Sequence, residues 1–180
     1  MNVLWDMETS DPFSLGRLVA QGGFAGEGLV APDRQLPKFR GKVTCATYNL
    51  NGDIPSAHAV LASSASGIRR FVSKNICHGV VYDRALHEHV DRLRDQSLSL
   101  DLIWKGMETY FERHPDGKLF HDPLAACCAI DESVAEWAEV ELYRTAKGGE
   151  WGSRLAPGSG TWITTGCDHE RFVATLLATP

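Results

Sequence analysis

The chain has 180 residues, 43% apolar and 23% charged, with 18 Lys plus Arg against 23 Asp plus Glu and a formal net charge of −5. That balance fits one globular domain and excludes a disordered or fibrous chain. Mild acidity without a basic tract excludes nucleic-acid or anionic-membrane binding through clustered Lys and Arg, since Arg69-Arg70 is too short to serve.

In chain order, Asn2 to Met7 is a short apolar run that ends in acids, as a buried parallel strand ends at a functional edge. Leu18 to Gln21 reads as a second strand, stopped by Gly22-Gly23 and a glycine-rich loop through Gly28. Val43 to Tyr48 reads as a strand and Asn49 to Asp53 as a polar turn. A helix is expected from about Pro55 to Ser63, with Asp53 near its cap. Arg70 to Ser73 is a further strand. Helices follow at Arg84 to Asp95 and Leu98 to Arg113, the second with a stripe at Leu102, Ile103, Met107, Tyr110 and Phe111. Asp122-Pro123 opens a helix over Leu124 to Ile130, with Asp at the cap and Pro at the first position. Strands at Glu139 to Tyr143 and Thr161 to Thr164 and a last helix after Asp168 complete the pattern. Strands alternating with helices predict an α/β fold, a mostly parallel sheet flanked by helices, with sites at the strand carboxyl ends.

The longest wholly apolar stretch, Leu124 to Ile130, falls far below the roughly 18 residues of a membrane span. Asp6 and Glu8 stand where a signal peptide would carry basic residues, so a soluble, cytoplasmic protein is expected. Five cysteines without a CxxC pair suggest buried free thiols rather than a zinc knuckle or disulfide framework.

Four constellations could carry chemistry. Asp6, Glu8 and Asp11 place three carboxylates within six residues, which reads either as a solvated acidic loop or as part of the oxygen shell of a hard cation. His121-Asp122-Pro123-Leu124 reads either as an ordinary helix start or as a carboxylate offered to a metal beside an imidazole that supplies a proton. Thr47-Tyr48-Asn49 with Asn51 and Asp53 is turn chemistry that also suits sugar hydroxyls. Cys77-His78 invites a nucleophile reading, although neighbours in a strand point to opposite faces.

Taken in order, Asp6-Met7-Glu8-Thr9-Ser10-Asp11-Pro12, Val19-Ala20-Gln21-Gly22-Gly23, Tyr48-Asn49 through Asp53 with Ala57, and His121-Asp122-Pro123-Leu124-Ala125 resemble the inosine-uridine-preferring nucleoside hydrolase family. The resemblance implies a parallel-sheet α/β core with calcium at the strand carboxyl ends and hydrolysis of a ribonucleoside to ribose and free base. It implies Asp6, Glu8 and Asp122 as calcium ligands, Glu8 as the water-activating base and His121 as proton donor to the leaving base. Asn49, Asp53 and His78 would bind substrate. Where the family continues into an aspartate pair, Asp11-Pro12 runs into Phe13-Ser14, and only Phe13 to Arg17 separates this motif from the next strand. Thr47 replaces an expected glutamate, and Lys42 or Arg40 an expected asparagine. The chain therefore resembles a single domain, 1–180, internally shortened near 12–17. The partners expected are a small-molecule nucleoside and, through strand edges left open, further copies of the chain, with no nucleic acid or membrane. Two other readings remain open: an inactive remnant serving as a ligand-binding or protein-interaction module, and a thiol enzyme using Cys77.

Overall fold

The structure, a computed structural model, describes residues 15–146 and 148–178. The expected strand Asn2 to Met7 and the acids Asp6, Glu8 and Asp11 lie outside the described residues. In chain order the elements are β1 (Gly16–Gln21), β2 (Thr44–Cys45), α1 (Tyr48–Gly52), α2 (Ile54–Ala62), β3 (Ser66–Val72), α3 (Lys74–Cys77), β4 (Val81–Tyr82), α4 (Arg84–Leu93), α5 (Leu98–Phe111), β5 (Lys118–Leu119), α6 (His121–Ile130), β6 (Ala135–Arg144), β7 (Trp151–Leu155), β8 (Thr161–Cys167) and α7 (His169–Leu177).

Six strands form one mixed sheet in the order β1-β3-β8-β6-β7-β2. β1, β3 and β8 run parallel and make the core, with Val19 opposite Arg70, Ala20 opposite Phe71 and Gln21 opposite Val72. β6, β7 and β2 extend it antiparallel. β4 and β5 form a separate two-stranded ribbon. Successive residues of a strand face opposite sides. Phe71 therefore joins Leu50, Val140, Trp151 and Ile163 on one face, while Val72 joins Tyr82, Leu124, Val134 and Phe172 on the other.

The helices start where short polar side chains can satisfy their free N–H groups. Asp53 accepts from Ser56 N at 3.0 Å, Asp83 from Leu86 N at 2.9 Å and Asp168 from Arg171 N at 2.9 Å. α6 departs from the expected start. It begins at His121 behind Phe120, whose side chain makes no cap bond, so Asp122 lies in the first turn instead of at the cap. The expected strand Val43 to Tyr48 shrinks to Thr44–Cys45, and the expected turn at Asn49 is the short helix α1. Burying Leu50 against Gly22 and bonding Asn51 Oδ1 to the Trp151 indole at 2.9 Å override local turn chemistry. In α5 the buried side is Leu100, Met107 and Phe111, and Leu102 faces solvent. β7 was absent from the sequence pattern.

After β1 the chain turns back through Gly23, at φ +73, where a Cβ would meet Ile163 and Leu142 at 3.2 Å. At Gly26 a Cβ would lie 2.1 Å from the Lys42 carbonyl oxygen. Asn75, 1% exposed, locks this loop to α3, donating to Ala25 O at 3.1 Å and accepting from Leu36 N at 3.3 Å. All five cysteines are free, and four are buried. No helix among the described residues is long and apolar enough to cross a membrane.

Candidate functional site

Three elements converge on the carboxyl end of β1. Gln21, its last residue, accepts the Asn49 amide of α1 at both its backbone oxygen, 3.1 Å, and its side-chain oxygen, 2.8 Å. Its own amide donates to Cys77 Sγ at 3.3 Å, tying α1 to α3. Directly below lies a cavity of about 490 Å3 that follows β1 between α2 and α6. Its polar end is Gln21, Asn49, Asp53, Ser56 and Asp122; its length is walled by Ala57 and Val60 from α2 and by Ala125, Ala126 and Ala129 from α6. Asn49 and Asp53, four residues apart, thus share one mouth with Asp122, about seventy residues further on.

Their local bonding differentiates them. Asn49 spends its amide nitrogen on Gln21, and its amide oxygen is an acceptor suited to a hydroxyl. Asp53 is chiefly a cap: one oxygen accepts Ser56 N and the other Ser56 Oγ at 2.7 Å, and these bonds hold its carboxyl below the usual range.

His78 and His121 form a second group. Their rings stack with centroids 4.5 Å apart, tilted by 34°. Lys38 Nζ lies 2.8 Å from His78 Nδ1, so that nitrogen must be the lone-pair acceptor and the proton sits on Nε2. Burial first, then the charges of Lys38, His121 and Lys74, lowers the His78 pKa to about 4. His121 Nε2 is buried with no hydrogen-bond partner among the described residues. Burial lowers the His121 pKa as well, opposed by the adjacent Asp122 carboxylate. Neither imidazole belongs to the cavity wall, and both are neutral at pH 7. Lys38 and Lys74 were not singled out from the sequence, and nothing local marks them. Gln21 was legible as the strand end before the double glycine.

Cys77 is fully buried and its thiol is pushed up to about 11 by burial, so at neutral pH it carries its proton. That removes the physical basis of the thiol-enzyme reading. The fit to calcium is limited. The ion takes 6–8 oxygens, yet among the described residues no three His, Cys, Asp or Glu side chains gather to hold a metal, and Asp122 is the one expected ligand described. The described residues alone do not make a calcium site.

Neither family models nor curated proteins match the sequence. Solved structures do. A purine-preferring ribonucleoside hydrolase from Gardnerella vaginalis superposes with a TM-score of 0.59 at 14% identity, over 89% of this chain and 50% of that one. This chain has a nucleoside-hydrolase-like fold. A plant nucleoside hydrolase matches equally, with a TM-score of 0.59 at 17% identity over 91% of this chain and 54% of its own. The chain thus spans about half the length of the structures it matches, and the cavity mouth sits at the carboxyl end of β1.

Proposed function

We propose that this chain is an N-glycosyl hydrolase that binds a ribonucleoside, with inosine and uridine the first candidates, at the mouth formed by Gln21, Asn49 and Asp122. The observation that carries this reading is the convergence of Asn49, Asp53 and Asp122 from three elements on one cavity. The fold of the matched ribonucleoside hydrolases supports it. Asn49 and Asp122 grip the ribose hydroxyls, and Asp53 holds α2 in place behind them. Glu8 takes a proton from water as the water oxygen attacks the anomeric carbon. The glycosidic C–N bond breaks with its electron pair on the base, and His121 returns a proton to that nitrogen. Products are ribose and free base.

Calcium, held by Asp6, Glu8 and Asp122, is part of the proposal, and its weight falls on the first two residues. A cytoplasmic address is also proposed, in keeping with five unpaired cysteines. A second reading, an inactive ligand-binding or protein-interaction module, is favoured by Asp11-Pro12 running into Phe13-Ser14 where an aspartate pair is expected.

Calorimetric titration of calcium, with Asp122→Ala as control against adventitious carboxylate binding, and a ribose-release assay on inosine and uridine test both. Calcium binding lost in Asp122→Ala together with ribose release supports the hydrolase. Nucleoside binding without ribose release supports the module.

A further inference from the structure

Two ammonium groups flank Phe39, in the loop between β1 and β2. Lys38 Nζ lies 5.2 Å from the centre of the ring and 2.8 Å from His78 Nδ1. Lys74 Nζ lies 5.9 Å from the same ring centre and donates to Ala46 O at 2.8 Å. Phe39, 4% exposed, stands edge-on to His78 at 5.5 Å, and His78 stacks on His121. Two lysines and two imidazoles, brought by that loop, α3 and α6, therefore make one contiguous group around a buried ring.

Its charge is one-sided. In a chain of net charge −5, no carboxylate among the described residues lies within ion-pair distance of Lys38 or Lys74. After burial, the charges that act on His78 are those of Lys38, His121 and Lys74, and all three disfavour its cation. Asp122 acts on His121, its neighbour in the chain, and lines the cavity. Two ammoniums held beside imidazoles without a counter-charge cost Coulomb energy that a bound anion offsets. The donors for one are at hand. Each ammonium has three N–H groups, of which one is used within the described residues, and His78 carries its proton on Nε2.

The donor set selects the ligand. A carboxylate is best matched by the planar fork of an arginine, and no guanidinium takes part in these contacts. Two lysine point charges suit a phosphate monoester, which carries about −1.5 to −2 at neutral pH. The group is also tied to the cavity mouth: Cys77, next to His78, accepts the Gln21 amide at 3.3 Å, and Ala46, held by Lys74, stands three residues before Asn49.

We propose that Lys38 and Lys74, with His78, bind the phosphate of a ligand whose ribose occupies the mouth at Gln21 and Asn49, so that the substrate class is a nucleoside monophosphate. The substrate assignment rests on the proposed function; the phosphate site does not. In the reaction, water adds to the anomeric carbon as the C–N bond breaks, the base leaves with that electron pair and gains a proton, and the phosphate stays on the sugar. The products are ribose phosphate and free base.

Calorimetric titration of inorganic phosphate into the whole chain at about 0.15 M salt, where exposed charges are screened beyond about 8 Å, separates a built site from a diffuse potential. Wild type is expected to bind, Lys38→Gln to bind about tenfold or more weakly, and Arg154→Gln, which removes a cation paired with Glu141, to bind as wild type does. Lys38 is exposed, so its variant should keep the far-UV circular dichroism of wild type. In turnover, kcat/KM for inosine or uridine monophosphate, read as ribose phosphate, should exceed that for the unphosphorylated nucleoside, and Lys38→Gln should shrink the preference. Absence of phosphate binding, or equal weakening in Lys38→Gln and Arg154→Gln, overturns the phosphate site, and ribose release from inosine or uridine in that case leaves the hydrolase reading standing. Phosphate binding that Lys38→Gln weakens, with faster turnover of the nucleoside than of its monophosphate, overturns the substrate assignment. The same binding with release of neither ribose nor ribose phosphate sustains the phosphate site and sinks the hydrolase reading.

Discussion

His121 is the residue on which the proposed chemistry and the electrostatics pull against each other. As proton donor it must be charged, yet burial lowers its pKa below the ordinary 6.5. The acid is therefore present only at lower pH, and kcat is expected to fall as pH rises through a value under 6.5, with His121→Ala losing that limb and about 10²–10⁴ in kcat at nearly unchanged KM. A pH–rate profile of both proteins checks this. His78 acts on stability. Between 6.5 and about 4 the unfolded chain binds the proton that the folded His78 refuses, so stability falls as pH falls through that window. Urea unfolding near neutrality and in mid-window should show the loss, and His78→Gln should reduce it. Asp53 has the opposite history: its folded pKa lies below the ordinary 3.8, so its contribution is present above that value and lost as pH falls further. Asp53→Ala should lower Tm by a few degrees at neutral pH and by less in strong acid. At this scale Asn49, Asp53, His121 and Asp122 stand out in the sequence because each sits in a short local pattern, and Asn49, Asp53 and Asp122 meet at one cavity. The sequence was silent on what tunes them. Lys38 reaches His78 from 40 residues away, and no spacing rule announces a contact made by tertiary packing.

Among the elements, those with strong local signals were legible. β1, α4, α5 and α7 follow from apolar periodicity and from Asp caps. α1 and β7 were not. Asn49-Leu50-Asn51-Gly52 has turn propensity, and only the tertiary burial of Leu50 and the Trp151 bond make it helical. Trp151-Gly152-Ser153 lacks an alternating pattern because this part of β7 is buried on both faces. α3 is short, and its role is positional: Asn75 carries the glycine-rich loop, and Cys77 receives Gln21. Asn75→Ala would strand Ala25 O and Leu36 N in the interior and is expected to cost about 2–4 kcal/mol in denaturant unfolding. Full reactivity of Cys77 with iodoacetamide at neutral pH would contradict the burial that protects it, since a thiol at about 11 is almost wholly protonated there.

At the scale of the whole molecule, the parallel core was legible and its limits were not. Alternation of strands and helices predicts a parallel sheet, but it cannot separate β1-β3-β8 from the antiparallel β6-β7-β2 extension, because direction is a property of connections. The chain covers about half the length of the nucleoside hydrolases whose fold it shares. Among the described residues, β1 is the end strand of the sheet and lines the cavity where the candidate site lies. The proposed hydrolysis requires Asp6 and Glu8 at that mouth, which the described residues build only in part.

Ribose release from purified wild-type chain, measured beside Asn49→Ala and Asp122→Ala, addresses that dependence most directly. Turnover of a ribonucleoside by the wild type, reduced by a factor of about 10² or more in each variant, is the result predicted for a hydrolase site at the carboxyl end of β1. Absence of ribose from every ribonucleoside offered, or turnover that both variants retain, would contradict it.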